Sequence, residues 1–217
     1  MKITWYGHAC FKLMVKTNNG NKISIITDPF DKSVGLVPSR AAADIVTVSH
    51  DHYDHNNVKT VGGSPFVIEG PGEYDAKGVF IRGIHSFHDE SKGEERGINT
   101  IYVLEAEDLK ICHLGDLGQN ELTSEQLDKI GEVDVLMIPV GGVYTINGNE
   151  AVKIINQIEP NIVIPMHYKI PKLTIKLNSV DKFLEEIGEK KQTVEELLVQ
   201  KKDLSEEKMK VIVMKPA

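Results

Sequence analysis

A chain of 217 residues suits one large domain or two small ones and is long enough to bury a substantial core. Hydrophobic residues make up 41% and charged residues 26%, the balance of an ordinary soluble globular protein. With 25 Lys and Arg against 32 Asp and Glu the formal charge is -7, which argues against a phosphate backbone as partner, and no apolar run approaches the about 18 residues of a membrane span.

Lys2 to Val15 is apolar-rich, with His8 and Lys12 interrupting any secretory pattern. Thr17-Asn18-Asn19-Gly20-Asn21 reads as a turn and Lys22 to Thr27 as the returning strand of a hairpin, stopped at Asp28-Pro29. Ile45 to Val48 is a short β-branched run, the mark of a buried strand, and it leads straight into His50-Asp51-His52-Tyr53-Asp54-His55. Further strands are predicted at Phe66–Ile68, Val79–Ile84, Ile101–Leu104, Lys110–Leu114, Val135–Val140, Ile162–Ile164 and Met209–Met214. Thr123-Ser124-Glu125-Gln126 forms a capping box for a helix ending near Gly131. Asn149 is expected to cap a helix running through Ile158, and Val180 to Ile187 carries one apolar face. Lys190 to Lys208, charged with both signs, reads as a solvated helix or excursion. Cys10 and Cys112 sit in apolar runs and read as buried free thiols, which suits a reducing compartment. One domain spanning residues 1–217 and a cytoplasmic location are the expectations.

The chemistry concentrates in the six-residue loop. Of eight histidines, three fall between 50 and 55, beside two carboxylates. Neutral imidazole is a good ligand for zinc and similar ions. On an extended segment His50 and His52 project to one side and can share a metal, while Asp54 and His55, further along, can reach a second. Two metals need more ligands than one loop supplies. The other predicted strand ends offer them: His88 after the Val79 strand, Asp116 after Gly115, and His167 after Pro165-Met166.

This pattern resembles the metallo-β-lactamase superfamily. Trp5-Tyr6-Gly7-His8-Ala9-Cys10-Phe11, Thr27-Asp28-Pro29-Phe30, Gly115-Asp116-Leu117-Gly118, Pro139-Val140-Gly141-Gly142 and Pro165-Met166-His167-Tyr168 narrow the likeness. Together they resemble the branch of small stand-alone metal-dependent hydrolases that includes the ascorbate-phosphate lactonase-like proteins. The resemblance implies an α/β fold, a four-layer αβ/βα sandwich of two mixed sheets flanked by helices. It assigns His50, His52 and His88 to a first metal and Asp54, His55 and His167 to a second, with Asp116 bridging. His88 is preferred to His85 because the family pattern places its ligand just past the strand. Asp54 doubles as a catalytic proton acceptor or relay. Two divalent ions are implied, zinc first, with Mn, Fe or Ni as alternatives.

His8, Asp28 and Tyr168 are candidates for contact with the ligands or the substrate. Lys169 and Tyr144 could reach the site too, whereas His113 reads as a core histidine. The expected activity is hydrolysis of an ester-like bond (lactone, phosphodiester, thioester or amide) in a small substrate, an anionic one fitting Tyr168 and Lys169. A nucleic-acid-cleaving metalloenzyme and a di-metal oxidoreductase or metal-binding protein without turnover are the alternatives. Substrate, metal identity and oligomeric state stay open.

Overall fold

The computed structural model describes residues 1–17, 19–204 and 209–217. Five strands form the first part of the chain: β1 (Lys2–Gly7), β2 (Cys10–Lys16), β3 (Lys22–Thr27), β4 (Ile45–Val48) and β5 (Phe66–Glu69). Then come β6 (Gly72–Ala76), β7 (Val79–Phe87), β8 (Ile98–Ala106) and β9 (Leu109–His113). Helix α1 (Ser124–Ile130), β10 (Val135–Pro139), α2 (Gly148–Ile158), β11 (Ile162–Met166) and α3 (Val180–Ile187) follow. Four short strands close the chain: β12 (Thr193–Val194), β13 (Glu196–Leu198), β14 (Lys210–Val211) and β15 (Val213–Met214).

Two large mixed sheets result, one in the order β13-β1-β2-β3-β4-β5 and one in the order β14-β11-β10-β9-β8-β7-β6, and β12 pairs with β15 in a small parallel one. Strands β4, β10 and β11 are buried along their whole length, as the β-branched runs require. In β1 burial alternates, so Ile3 and Trp5 enter the core and Lys2 and Thr4 do not. The main core fills the space between the sheets, from Trp5 and Phe11 on one side to Ile81, Tyr102 and Leu136 on the other. The Tyr102 hydroxyl ties them together, donating to the Val48 carbonyl at 2.8 Å and accepting from the Gly70 amide at 2.8 Å. A smaller cluster, including Ile26, Phe30, Val34 and Val46, is covered by 3-10 turns at Lys32–Val34 and Val58–Thr60.

The chain departs from the sequence expectations at two places. The Lys2–Val15 run is two strands, because Gly7 pairs with Cys10 and leaves His8-Ala9 as a two-residue hairpin loop. Helix α2 is capped by Asn147, not Asn149: Asn147 accepts from the amides of Asn149 and Glu150, and Glu150 bonds back to complete the box. The charged stretch after Lys190 is the excursion of the two alternatives: it supplies β12, β13, the latter pairing with β1, and a 3-10 turn at Lys201–Asp203, while 205–208 lie outside the described residues. The Thr17–Asn21 turn joins the β2–β3 hairpin as expected, with Asn18 outside the described residues. No helix among the described residues is long and apolar enough to cross a membrane.

Strand direction places the site. Strands β3 and β4 are parallel, and so are β9, β10 and β11, while β7 runs with β9 because both are antiparallel to β8. The C-terminal ends of β4, β7, β9 and β11 therefore deliver the His50–His55 loop, His88, Asp116 and His167.

Candidate metal centre

The donor atoms of these segments meet. His50, His52 and His88 form one cluster, His8, Asp54, His55 and His167 a second, and His50, His55 and Asp116 a third that overlaps both; within each, the donor atoms lie within 4.8 Å of one another. Asp116 Oδ2 stands between them, 3.5 Å from His88 Nε2, 3.2 Å from His55 Nε2 and 3.0 Å from His167 Nε2. His85 does not join them: it is exposed on β7, its ring against Phe87.

The imidazoles are held by a network behind them. Asp28, fully buried, accepts from the Ser49 amide at 2.8 Å and the Ser49 hydroxyl at 2.6 Å. The same carboxylate is 2.9 Å from His55 Nδ1, which donates to it and leaves Nε2 to face Asp116. Since the Ser49 hydroxyl hydrogen goes to Asp28, its oxygen accepts from His50 Nδ1 at 2.9 Å. His50 Nε2 is then an unprotonated, buried acceptor, and no protein group partners it. Asp116 Oδ1 is likewise buried without a partner. A buried lone pair on an imidazole and a buried carboxylate oxygen are costly unless something cationic receives them, so the donor set fits divalent metal ions.

Charge follows the same arrangement. Burial, with the neighbouring His167 and His55, pulls His8 down to about 4 although its hydrogen bond to Asp54 opposes this. Burial lowers His50 and His88 too, so these imidazoles are neutral and ready to ligate. His55 goes the other way: burial disfavours its charge, but Asp116 and Asp28 outweigh that and hold it well above 6.5. Burial would raise Asp116, yet His167 and His55 bring it well below the usual carboxylate range.

A cavity of about 590 Å3 opens over the cluster. His52, Asp54, His88, Asp116 and His167 form its floor, and Tyr53, Arg96, Tyr144 and Lys176 stand around it. Arg96 lies over the Tyr144 ring, 6.0 Å from its centre. Asp89, next to His88, sets the Arg96 loop by accepting from the amides of Gly93, Glu95 and Arg96.

The remaining candidates fall away from the cavity or behind it. Tyr168 does not line it: the side chain is 4% exposed and packs on Trp5, ring centres 5.3 Å apart, because the residue after His167 turns into the core. Burial pushes its phenol up. Lys169 does not line the cavity either. His113 is a core histidine, its Nε2 donating to the Ala9 carbonyl at 2.9 Å while Nδ1 accepts from the Gly115 amide. Cys10 and Cys112 are buried free thiols, as expected. Trp5 Nε1 donates to the His8 carbonyl at 3.1 Å. Ser49, Asn99, Arg96 and Lys176 carried no sequence assignment of their own. Asn99 Oδ1 receives the Asp116 amide at 2.9 Å and its amide nitrogen reaches Leu114, so it shapes the turn that presents Asp116.

Two mixed sheets with a histidine and aspartate cluster at their shared edge define the metallo-β-lactamase class of proteins. The profile of the β-lactamase superfamily domain matches residues 2–167, and the chain belongs to that superfamily. It is 28% identical over 194 residues to a metal-dependent hydrolase of Thermoplasma acidophilum, an alignment covering 77% of this chain and 83% of that one. A Thermotoga maritima structure assigned to the zinc-dependent hydrolases of the metallo-β-lactamase superfamily is 41% identical, superposes with a TM-score of 0.79 and covers 98% of this chain and 97% of its own. A metallo hydrolase of Ignicoccus hospitalis, at 19% identity and a TM-score of 0.61, covers 92% of this chain and 99% of its own and shares the fold.

Proposed function

We propose that this metal-dependent hydrolase works with two divalent ions, zinc first among them, and cleaves an ester-like bond in a small, negatively charged substrate. The observation that carries the reading is the pair of donor clusters joined through Asp116 at the floor of an open cavity. His50, His52 and His88 would hold one ion, Asp54, His55 and His167 the other, with Asp116 between. Two such ions supply a water of lowered pKa and a Lewis acid for the scissile oxygen. The protein does the rest. Asp28 and Ser49 fix the rings of His55 and His50, so the donor set is preorganised. Asp54, at the cavity floor, would accept or relay a proton. Arg96 and Lys176 give the rim positive charge in a chain whose net charge is -7, and Tyr53 and Tyr144 give it two exposed rings. A cavity of about 590 Å3 suits a small molecule carrying a carboxylate or phosphate.

Elemental analysis of the purified and reconstituted protein, paired with a screen over lactone, phosphodiester, thioester and amide substrates, tests the reading. About two ions per chain are expected, with activity lost to a chelator and restored by Zn, Mn, Fe or Ni. A chain that takes up no metal after reconstitution, or turns over equally well without it, would sink the proposal.

A further inference from the structure

We propose that His8 is a direct ligand of the second ion, a position beyond the seven residues assigned above; this rests on the two-ion reading. His8 belongs to the hairpin between the first two strands, not to any of the four strand ends that deliver the other donors. Yet its Nε2 lies 3.1 Å from Asp54 Oδ2 and 3.1 Å from His55 Nε2. Two atoms bound to one ion at about 2.1 Å, at roughly right angles, stand about 3 Å apart. The assigned donors keep a similar spacing, 3.0 Å between His167 Nε2 and Asp116 Oδ2, 3.2 Å between His55 Nε2 and Asp116 Oδ2 and 3.7 Å between His55 Nε2 and Asp54 Oδ2. His8 Nε2 thus occupies one corner of the same polyhedron.

A purely structural histidine would spend its nitrogens on other protein groups. His8 is wholly buried, its Nε2 faces only atoms assigned above as metal donors, and its Nδ1 has no protein partner, a pattern it shares with the assigned ligands His88 and His167. The backbone is built to aim the ring. His8 sits at φ 56°, in the left-handed region that few non-glycine residues occupy and that the tight two-residue hairpin requires. Its carbonyl is pinned by two donors, the Trp5 indole at 3.1 Å and the His167 amide at 3.1 Å. The second of these couples the hairpin to a residue already assigned to the same ion.

Cobalt titration of the wild-type protein and of His8→Ala reads this directly. The variant should keep the first equivalent unchanged and bind the second at least about ten-fold more weakly. The visible absorption of that second equivalent should change, and added imidazole should restore it. Unchanged affinity and spectrum for both equivalents would overturn the assignment. Because losing a hydrogen bond to Asp54 would weaken the second equivalent too, the hyperfine-shifted imidazole resonances of the wild-type dicobalt protein decide whether or not the variant folds: six (His8, His50, His52, His55, His88, His167) support the assignment and five overturn it. A wild-type protein that binds a single ion would instead bring down the two-ion reading, and this assignment with it.

Discussion

Asp28 acts on two imidazoles at once, on His55 directly and on His50 through the Ser49 hydroxyl. Burial would push its carboxyl up, but the His55 hydrogen bond and charge hold it below the ordinary 3.8. A depressed carboxylate contributes stability that is full above its unfolded value and is lost as pH falls through the folded one. His55, raised above 6.5, contributes fully below that value and fades as pH climbs through its folded value. In the metal-free protein the advantage of wild type over Asp28→Asn should therefore be widest between 3.8 and 6.5, at roughly 3 kcal/mol, and shrink on either side. Chemical denaturation across pH measures it, and a difference flat through the acid range would contradict the ion-pair account. In the metal-loaded protein the same substitution should weaken metal affinity by about 10–100-fold, since the His55 ring loses its brace.

The elements deliver their ligands through tight turns, and Gly118 is where two of these turns touch. A Cβ there would collide with the backbone of His88 and Asp89, which offers no flexible side chain to yield. Gly118→Ala should lower stability by about 1–3 kcal/mol and weaken metal binding together, as the His88 and Asp116 turns are pushed apart. Thermal melting and a metal titration check this, and an unchanged melt would mean the turns have slack. These turns also mark where the sequence stops being readable. The His50–His55 loop, His88, Asp116 and His167 could be picked out because each donor follows an apolar run at a strand end. The strands that carry them were legible for the same reason, and so was the Thr123–Gln126 cap. The His8 turn was not, because His8-Ala9, although it interrupts the apolar run, is not one of the Asn-Gly or Asp-Gly pairs that mark a two-residue hairpin loop. Ser49 and Asn99 act through hydrogen bonds to partners 21 and 17 residues away, and local spacing carries no trace of such contacts. Lys176 reaches the cavity through the loop after the last ligand, which is tied down by Thr174 bonding to the Val34 and Ser33 carbonyls. Tyr168 failed as a substrate contact because proximity in sequence to His167 does not fix the direction of its side chain.

Across the whole molecule, an acidic surface surrounds a cavity rimmed with cations. The average charge repels anions at long range, while Arg96 and Lys176 reward them at contact. The pair should therefore act on binding rather than on the chemical step. Arg96→Ala and Lys176→Ala should each raise KM for a carboxylate- or phosphate-bearing substrate on the order of ten-fold, leave kcat nearly unchanged, and spare a neutral analogue. Steady-state kinetics on a matched charged and neutral pair provides the check, and equal losses on both would show that the rim senses shape, not charge.

Trp5 gives the protein an optical reporter of its own. It is the single tryptophan of the chain, it is fully buried against Tyr168, and its indole N–H ends on the carbonyl of His8. Whatever fixes or loosens the His8 hairpin alters the surroundings of that one fluorophore. If His8 ligates the second ion, loading of that ion should shift the Trp5 emission, and a fluorescence titration would follow it without a label and without knowing the substrate.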